Sequence, residues 1–526
     1  MIAPLLPSVK FSSLRSFPSQ HKTCVRLPSV FFGMRGSHIA WFAAGIFTCL
    51  LTACGSSSRI GIAITSSPST YSAGASATAR PAAQAPQGGL YATNGAFALS
   101  AFLPSERAVQ ADSFVDSIGI VTHLSYNNTP YYTEWPQVLA ALQSLGVRHI
   151  RDGFYPWASS SPYIQEHQEL AAAGIKCDYV VPFDSTTTAA SIERFSSEVQ
   201  DMESLEAPNE CDVAGNCGAT STSGVANAVS FLPVINAAGS NLGVPVYGPS
   251  FTQQSSYVQA GNIAAQMTYN NLHIYFGGRN PGSDGWGDVD AEGHAYGSFD
   301  WWLDQGNIDA PNVPAVLTET GYMSFPETST PFTLPESVQA SYVPRSLLLA
   351  YKHGIARTYL YELIDEVSSP GYGLMDSTLT PKPAYNAVQN LISILSDEGT
   401  AFTPGSLSYS IEGGDATLDH LLLQKRDGSF WLVLWLEQSS FDPVSASPTL
   451  VTPQDLLLTL SSAGYVEKVL QFTGRGSVTA GTLGGTGLMN RGTLFALTVS
   501  DQITIVQIGS SNRKTLRRRW AEHSTS

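Results

Sequence analysis

The chain has 526 residues, of which 43% are hydrophobic, 10% aromatic and only 13% charged, so it can bury a large core and is too long for one ordinary domain. Its formal charge of −15 and pI near 5.0 argue against nucleic acid as the main partner, because phosphate binding needs a basic surface. A neutral substrate suits this balance better.

Residues 1–54 read as a leader. They hold Lys10, Arg15, Lys22, Arg26 and Arg35 and no acid, so the acidity belongs to the rest of the chain. From Met34, an alternative start, the stretch MRGSHIAWFAAGIFTCLLTAC has a basic beginning, an apolar run from Ile39 to Leu51 and small residues before Cys54. That is the layout of a secretory signal, too short and wrongly flanked for a permanent membrane helix. Leu51-Thr52-Ala53-Cys54 resembles the bacterial lipobox, whose cysteine is lipidated; an ordinary cleaved signal and an uncleaved anchor are the alternatives. The resemblance implies export to the bacterial cell envelope, periplasm or cell surface, with the membrane reached through a lipid anchor alone.

Residues 55–100 are rich in Ser, Ala, Gly, Thr and Pro, a composition that cannot sustain a packed core and reads as a flexible tether. Residues 101–398 alternate short apolar runs with longer segments of helical period, the pattern of repeated βα units. Candidate strands are Ser117–Thr122, His149–Arg151, Lys176–Val181, Ser204–Ala207, Pro245–Tyr247, Asn271–Tyr275, Ala315–Thr318 and Thr358–Tyr361. Eight strands at this spacing predict an α/β fold, a (β/α)8 TIM barrel.

Residues 399–510 have a different texture. Two alternating apolar runs are joined at Lys425-Arg426-Asp427-Gly428, a hairpin signal, and further runs occur at Asp455–Leu460, Val466–Phe472, Thr493–Val499 and Thr504–Ile508. They predict a C-terminal antiparallel β-sandwich, to which Gly89–Phe102 is a candidate contributor. Residues 511–526 carry Arg513, Lys514, Arg517, Arg518 and Arg519 and read as a basic, solvated tail, with contact to an anionic surface as the alternative.

Beyond the leader the cysteines are Cys177, Cys211 and Cys217. Cys211 and Cys217 bracket CDVAGNC, a spacing that suits either a local disulfide or two free thiols. No CxxC or HExxH spacing accompanies them, so no metal is expected.

Retaining hydrolysis of a glycosidic bond needs two carboxyls about 5 Å apart, one to attack the anomeric carbon and one to protonate the leaving oxygen. In a barrel they come from different strand ends on the C-terminal face. Glu210 in LEAPNECD and Glu319 in AVLTETGY each follow a predicted strand. Their separation, about 36 residues per unit if three βα units intervene, places them at strands four and seven. Glu206 is the local rival to Glu210, but it lies within the strand and lacks the preceding Asn, so it is expected to be a buried partner; Glu203 is expected to face solvent.

On Asn209-Glu210 and Glu319 the chain resembles the clan A glycoside hydrolases, with YELIDE at 361–366 and GLMDSTLTPKPAY at 373–385 similar to family 39-like members. The resemblance implies Glu210 as acid/base and Glu319 as nucleophile. It implies Arg151, in HIRDGF, as the cation beside the nucleophile and Tyr275, in LHIYF, as its hydrogen-bond donor. Asn209 would bind the sugar 2-hydroxyl and His273 would line the same mouth.

His123 is assigned to the substrate lining as well, and His149 and His294 to structural roles. Arg151 is also placed to pair with Asp152 or Glu206. Phe154, Tyr155, Trp157, Trp286, Trp301 and Trp302 are candidates to stack on sugar faces or to pack in the core. Two departures from the clan pattern stand out: Cys211 replaces the usual Pro after Asn-Glu, and Tyr359, Tyr361 and Glu362 stand where a Trp platform is usual.

The expected function is therefore a retaining O-glycosyl hydrolase acting on an oligo- or polysaccharide without a cofactor. A carbohydrate-binding lipoprotein with a degenerate barrel, and a transglycosylase, are the alternatives. A carboxyl separation much beyond 7 Å would favour the non-enzyme or an inverting mechanism.

Overall fold

The computed structural model describes residues 103–156, 162–282, 289–290, 292–326, 330–461, 464–481, 488–489 and 492–510, all within one compact unit of the chain. The leader with Cys54, most of the tether, the segment 89–102, the basic tail, Trp157 and Trp286 lie outside the described residues.

Eight parallel strands form the first layer: β1 (Ile118–Val121), β2 (His149–Gly153), β3 (Lys176–Val180), β4 (Met202–Glu206), β5 (Val246–Tyr247), β6 (Asn270–His273), β7 (Ala315–Thr320) and β8 (Thr358–Leu360). Each pairs with its sequence neighbour from β1 to β5 and from β6 to β8, and β8 returns to β1. A parallel bridge between Tyr247 and Tyr269 spans the gap between β5 and β6, giving a (β/α)8 barrel. All eight expected strands are present, with ends shifted by one or two residues.

A helix succeeds each strand: α1 (Trp135–Leu145), α2 (Pro162–Ala172), α3 (Ala189–Val199), α4 (Ser221–Leu242), α5 (Gln254–Ala260), α6 (Phe299–Asp309), α7 (Glu336–Lys352) and α8 (Pro383–Leu395). Their boundaries are set by local chemistry. Thr188 and Thr220 form capping boxes with Ser191 and Ser223 at the starts of α3 and α4, satisfying amides that the first turn leaves open. Left-handed glycines, Gly146 and Gly243, end α1 and α4, where a side chain would be strained. Among the described residues, no helix is long and apolar enough to cross a membrane.

The second layer is an antiparallel sandwich of β9 (Ser406–Glu412), β10 (Leu418–Gln424), β11 (Phe430–Leu436), β12 (Gln454–Ser461), β13 (Gly464–Phe472), β14 (Gly492–Val499) and β15 (Thr504–Ser510). One sheet carries β9, β12 and β14, the other β10, β11, β15 and β13. The β10–β11 hairpin turns at Lys425–Gly428 as expected, pairing Gln424 with Phe430. Two short strands before the barrel also belong here: Ser105–Arg107 pairs with β9 and Val109–Gln110 with β10. The chain thus starts in the sandwich, runs through the barrel and returns.

Strand β11, FWLVLWL, is buried at every position and does not alternate as a half-solvated strand would. Its Leu432, Leu434 and Leu436 fill the sandwich core, whereas Trp431, Val433 and Trp435 join the barrel's core cluster. The sandwich is packed onto the barrel through this strand. Arg345 of α7, fully buried, reinforces the seam through an ion pair with Glu437.

Candidate active site

Glu319 occupies the C-terminal part of β7 and is 6% exposed. Three groups converge on its carboxylate. Arg151 Nη1 of β2 donates to Oε1 at 2.7 Å, the Tyr275 hydroxyl just beyond β6 donates to Oε2 at 2.9 Å, and His273 Nδ1 lies 3.6 Å from Oε2. Burial by itself would push this carboxyl up, but His273, Arg151 and the Tyr275 hydroxyl outweigh it and hold it below the usual glutamate value. The group is thereby kept anionic and aimed.

Arg151 is positioned by other acids. Its Nε and Nη2 make a two-pronged contact with Glu206 of β4, both bonds 2.7 Å, and Nη2 also reaches Asn209 Oδ1 at 2.6 Å. Such a fork fixes the guanidinium plane as well as its charge. Glu206 is thus the buried partner expected of it. Asp152 does not pair with Arg151; its carboxylate accepts from Thr122 Oγ1 and the Leu124 amide instead.

Glu210 sits in the turn after β4 with φ of +42°, a left-handed conformation that costs a non-glycine residue about 1 kcal/mol or more. The turn is held from several sides. The Glu210 amide donates to Ser250 Oγ at 3.1 Å, and its carbonyl accepts from the Val213 amide and from Asn216 Nδ2. Cys211 and Cys217 are joined by a disulfide, and Gly224 in the first turn of α4 lets the Cys211 carbonyl approach where a Cβ would collide. The loop that replaces the usual Asn-Glu-Pro is therefore a clamped one.

His273, at the end of β6, joins the two glutamates: its Nδ1 lies 2.9 Å from Glu210 Oε1. One oxygen of Glu210, one of Glu319 and the His273 nitrogen lie within 4.8 Å of one another. Burial would lower the His273 pKa, but Glu319 and Glu210 more than reverse that and raise it. On the other side of the ring, Nε2 faces Thr318 Oγ1 at 3.0 Å, and that hydroxyl donates to Asn271 Oδ1 at 2.7 Å. Thr318 can then only accept from Nε2, so Nε2 carries a proton and the titrating position is Nδ1, which faces Glu210.

His123, in the loop after β1, is stacked on Tyr126 with ring centroids 4.6 Å apart and is edge-on to Tyr361 at 5.8 Å. Its Nδ1 lies 3.2 Å from Glu362 and 3.1 Å from Glu366. Burial opposes its charge, yet these two acids outweigh burial and raise its pKa well above the usual value. Burial, with Glu366 adding to it, pushes Glu362 up to about 7. Tyr361 in turn packs against Tyr275 and Tyr372, so this cluster adjoins the nucleophile's wall. Sequence reasoning misses Glu366 and meets Glu362 only as a departure from the Trp pattern; the YELIDE motif is the signal that could have found both.

His123, His149, His273 and His294 do not gather into one cluster; each has acids of its own. His149 binds Glu203 at 2.8 Å and Asp116 at 3.2 Å, and His294 binds Asp304 at 2.5 Å. Glu203, expected to face solvent, is instead largely buried against His149 and Arg357, because β4 turns it into the barrel floor. The sets Glu210/His273/Glu319 and His123/Glu362/Glu366 each offer donor types that a divalent cation accepts. Phe154 and Trp301 are core residues, 1% and 3% exposed; Tyr155 and Trp302 are half-buried.

No family model and no curated protein sequence matches the chain. Among solved structures, it is similar to a family 39 glycoside hydrolase from the gut symbiont Bacteroides cellulosilyticus WH2, with 14% identity, 76% of this chain and 82% of that one covered, and a TM-score of 0.50. The catalytic domain of family 30 xylanase C from Talaromyces cellulolyticus aligns at 10% identity over 78% and 99% of the two chains, with a TM-score of 0.48. A β-1,3-glucanosyltransferase from Rhizomucor miehei aligns at 14% identity over 51% and 96%, with a TM-score of 0.36. At these identities the likeness is one of fold alone, a (β/α)8 barrel.

Proposed function

We propose that the protein is a retaining glycoside hydrolase acting on an oligo- or polysaccharide, with Glu319 as nucleophile and Glu210 as acid/base. The observation that carries this reading is the approach of the Glu210 and Glu319 carboxylates to within 4.8 Å across the barrel mouth. So close an approach supports a double-displacement pair over an inverting one, whose carboxyls stand further apart to admit the attacking water.

In the first step the Glu319 carboxylate, oriented by Arg151 and Tyr275, forms a bond to the anomeric carbon while the glycosidic bond breaks and Glu210 gives its proton to the departing oxygen. In the second, Glu210 takes a proton from water, the water attacks the anomeric carbon, and Glu319 is released. His273 supports both steps, because its Nδ1 exchanges a proton with Glu210 over a 2.9 Å contact. Arg151 occupies Asn209 Oδ1, which leaves the amide N–H groups of Asn209 to bind the sugar 2-hydroxyl. His123 and Tyr361 extend the same wall towards the sugar ring. No cofactor takes part in either step.

The two glutamates are told apart with an aryl glycoside and azide. Glu319→Ala should lose on the order of 10⁴ in kcat without unfolding, and azide should rescue it with inverted configuration. Glu210→Ala should be rescued with retained configuration. Turnover of Glu319→Ala at the parent rate would end the assignment. Product analysis shows whether water or a second sugar receives the glycosyl unit.

Export and lipid anchoring at Cys54 belong to the same proposal and rest on the leader sequence. A Cys54→Ser chain that still partitions with membranes would remove that part.

A further inference from the structure

The end of the barrel opposite Glu210 and Glu319 is not sealed. A cavity of ≈ 550 Å³ opens there, lined by residues that lead into β3, β4, β5 and β8. Its volume falls in the range of sites for small molecules. The wall is mixed: Pro245 and Tyr269 give apolar surface, while Lys176, Arg357, Asp201 and Glu203 give charge.

The hydrogen-bonding capacity of that wall is one-sided. Asp201 accepts from His167 and from the Tyr179 hydroxyl on its two oxygens, at 2.8 and 2.7 Å. Glu203 receives His149 on both oxygens, and Arg357 Nη1 as well at 2.9 Å. Both acids are therefore occupied. The donors are less fully used: Arg357 gives Nη1 to Glu203 and Nη2 to Asp116 at 3.4 Å, but its Nε is buried with no partner, and Lys176 at the rim is exposed and enters no ion pair among the described residues. A neutral sugar would satisfy such a wall poorly, since its hydroxyls bring donors as well as acceptors. An acceptor-rich group would satisfy it well.

We infer that the N-terminal end of the barrel holds a second ligand site, which takes a small organic anion of monosaccharide size. The carboxylate or phosphate lies between Lys176 and Arg357, and the body of the ligand lies along Tyr269 and Pro245. The site is independent of the two glutamates and of the reaction proposed for them. It offers a place where a charged product or metabolite could be sensed at the far end of the barrel.

Calorimetric titration of the full chain with glucuronate, glucose 6-phosphate and glucose tests this. Glucuronate, glucose 6-phosphate or both should bind, glucose should not, and the anion that binds identifies the charged group. Lys176→Glu, a surface change, should weaken the anion at least tenfold. Arg357→Lys, which keeps the charge and removes Nε, should weaken it as well. Three outcomes overturn the inference: equal binding of all three probes, anion binding unchanged in both variants, or no binding to the folded protein at about 10 mM. Anion density at Glu210 and Glu319, with the opposite end empty, would overturn it too.

Discussion

Arg151 sets the character of the proposed nucleophile by dividing its donors between two acids. Glu206 takes the Nε and Nη2 bonds, and Glu319 receives a single bond from Nη1. Were Arg151 to fork onto Glu319, the carboxylate would be tied in plane on both oxygens. Instead Oε2 is left to the Tyr275 hydroxyl, a weaker and directional donor. Removing it with Tyr275→Phe should lower kcat about 10-fold to 100-fold, the worth of one hydrogen bond to a charged group. The same bond fixes the direction of the pH effect. Tyr275 helps hold Glu319 below its usual value, so its loss raises that pKa, and the acid limb of the kcat/KM profile should move to higher pH. An unmoved limb would mean that the hydroxyl does not act on the carboxylate. Glu210 and Glu319 were legible in the sequence because each lies near or just after the end of a strand whose last residues point into the mouth, whereas Arg151, in the middle of β2, and Tyr275, just beyond β6, were reached through the family resemblance. Glu366 and the partners of Glu203 were not legible, since a loop after β8 and the inward side of β4 are set by tertiary packing.

At the scale of the element, the turn after β4 combines a left-handed Glu210, a disulfide and a close approach of the first turn of α4. The disulfide and the close approach of α4 hold the strained Glu210 in place where a proline would otherwise have stiffened the turn. Replacing both Cys211 and Cys217 by Ser should cost about 2 kcal/mol, as expected for closing so short a loop, and should raise the mobility of Glu210. Kinetically, the loss should fall on kcat for substrates with poor leaving groups, which need the acid most. If denaturation and kcat are both unchanged, the bridge holds nothing. The strand β11 shows why texture alone misleads: FWLVLWL reads as half of an alternating hairpin, yet both its faces are covered, one by the sandwich and one by the barrel. The hairpin turn was legible from Asp427-Gly428, whereas the second covered face was not, because it depends on a surface that includes residues of α7, far away in sequence.

For the whole molecule, stability should depend on pH through Asp309 at the end of α6. It is fully buried, and burial, opposed by the amides of Asp309 and Ala310, pushes its carboxyl up to about 8. The folded protein therefore binds a proton that the unfolded chain has released, so this group's contribution to stability is fully present below the ordinary aspartate value and is lost as pH rises from about 4 to 8. Asp309→Asn should remove that slope and stabilise the protein near neutral pH by roughly 2 kcal/mol. A variant whose melting temperature at pH 7.5 is no higher than the parent's would refute this. The order of strands and helices around the barrel was readable from periodicity alone. The use of the first two short strands by the sandwich was not, because three-residue and two-residue strands carry no period to read.

That early pairing has a consequence in time. Ser105–Arg107 finds its partner at Ser406–Ser408, and at 5 to 20 residues per second a ribosome needs roughly 15 seconds to a minute to make the intervening chain. During that interval the first strands have open edges, which invite pairing with other chains, and the barrel surface that Trp431 and Trp435 will cover is bare. A polypeptide that stops short of residue 406 should therefore be trapped in aggregates rather than yield a free barrel.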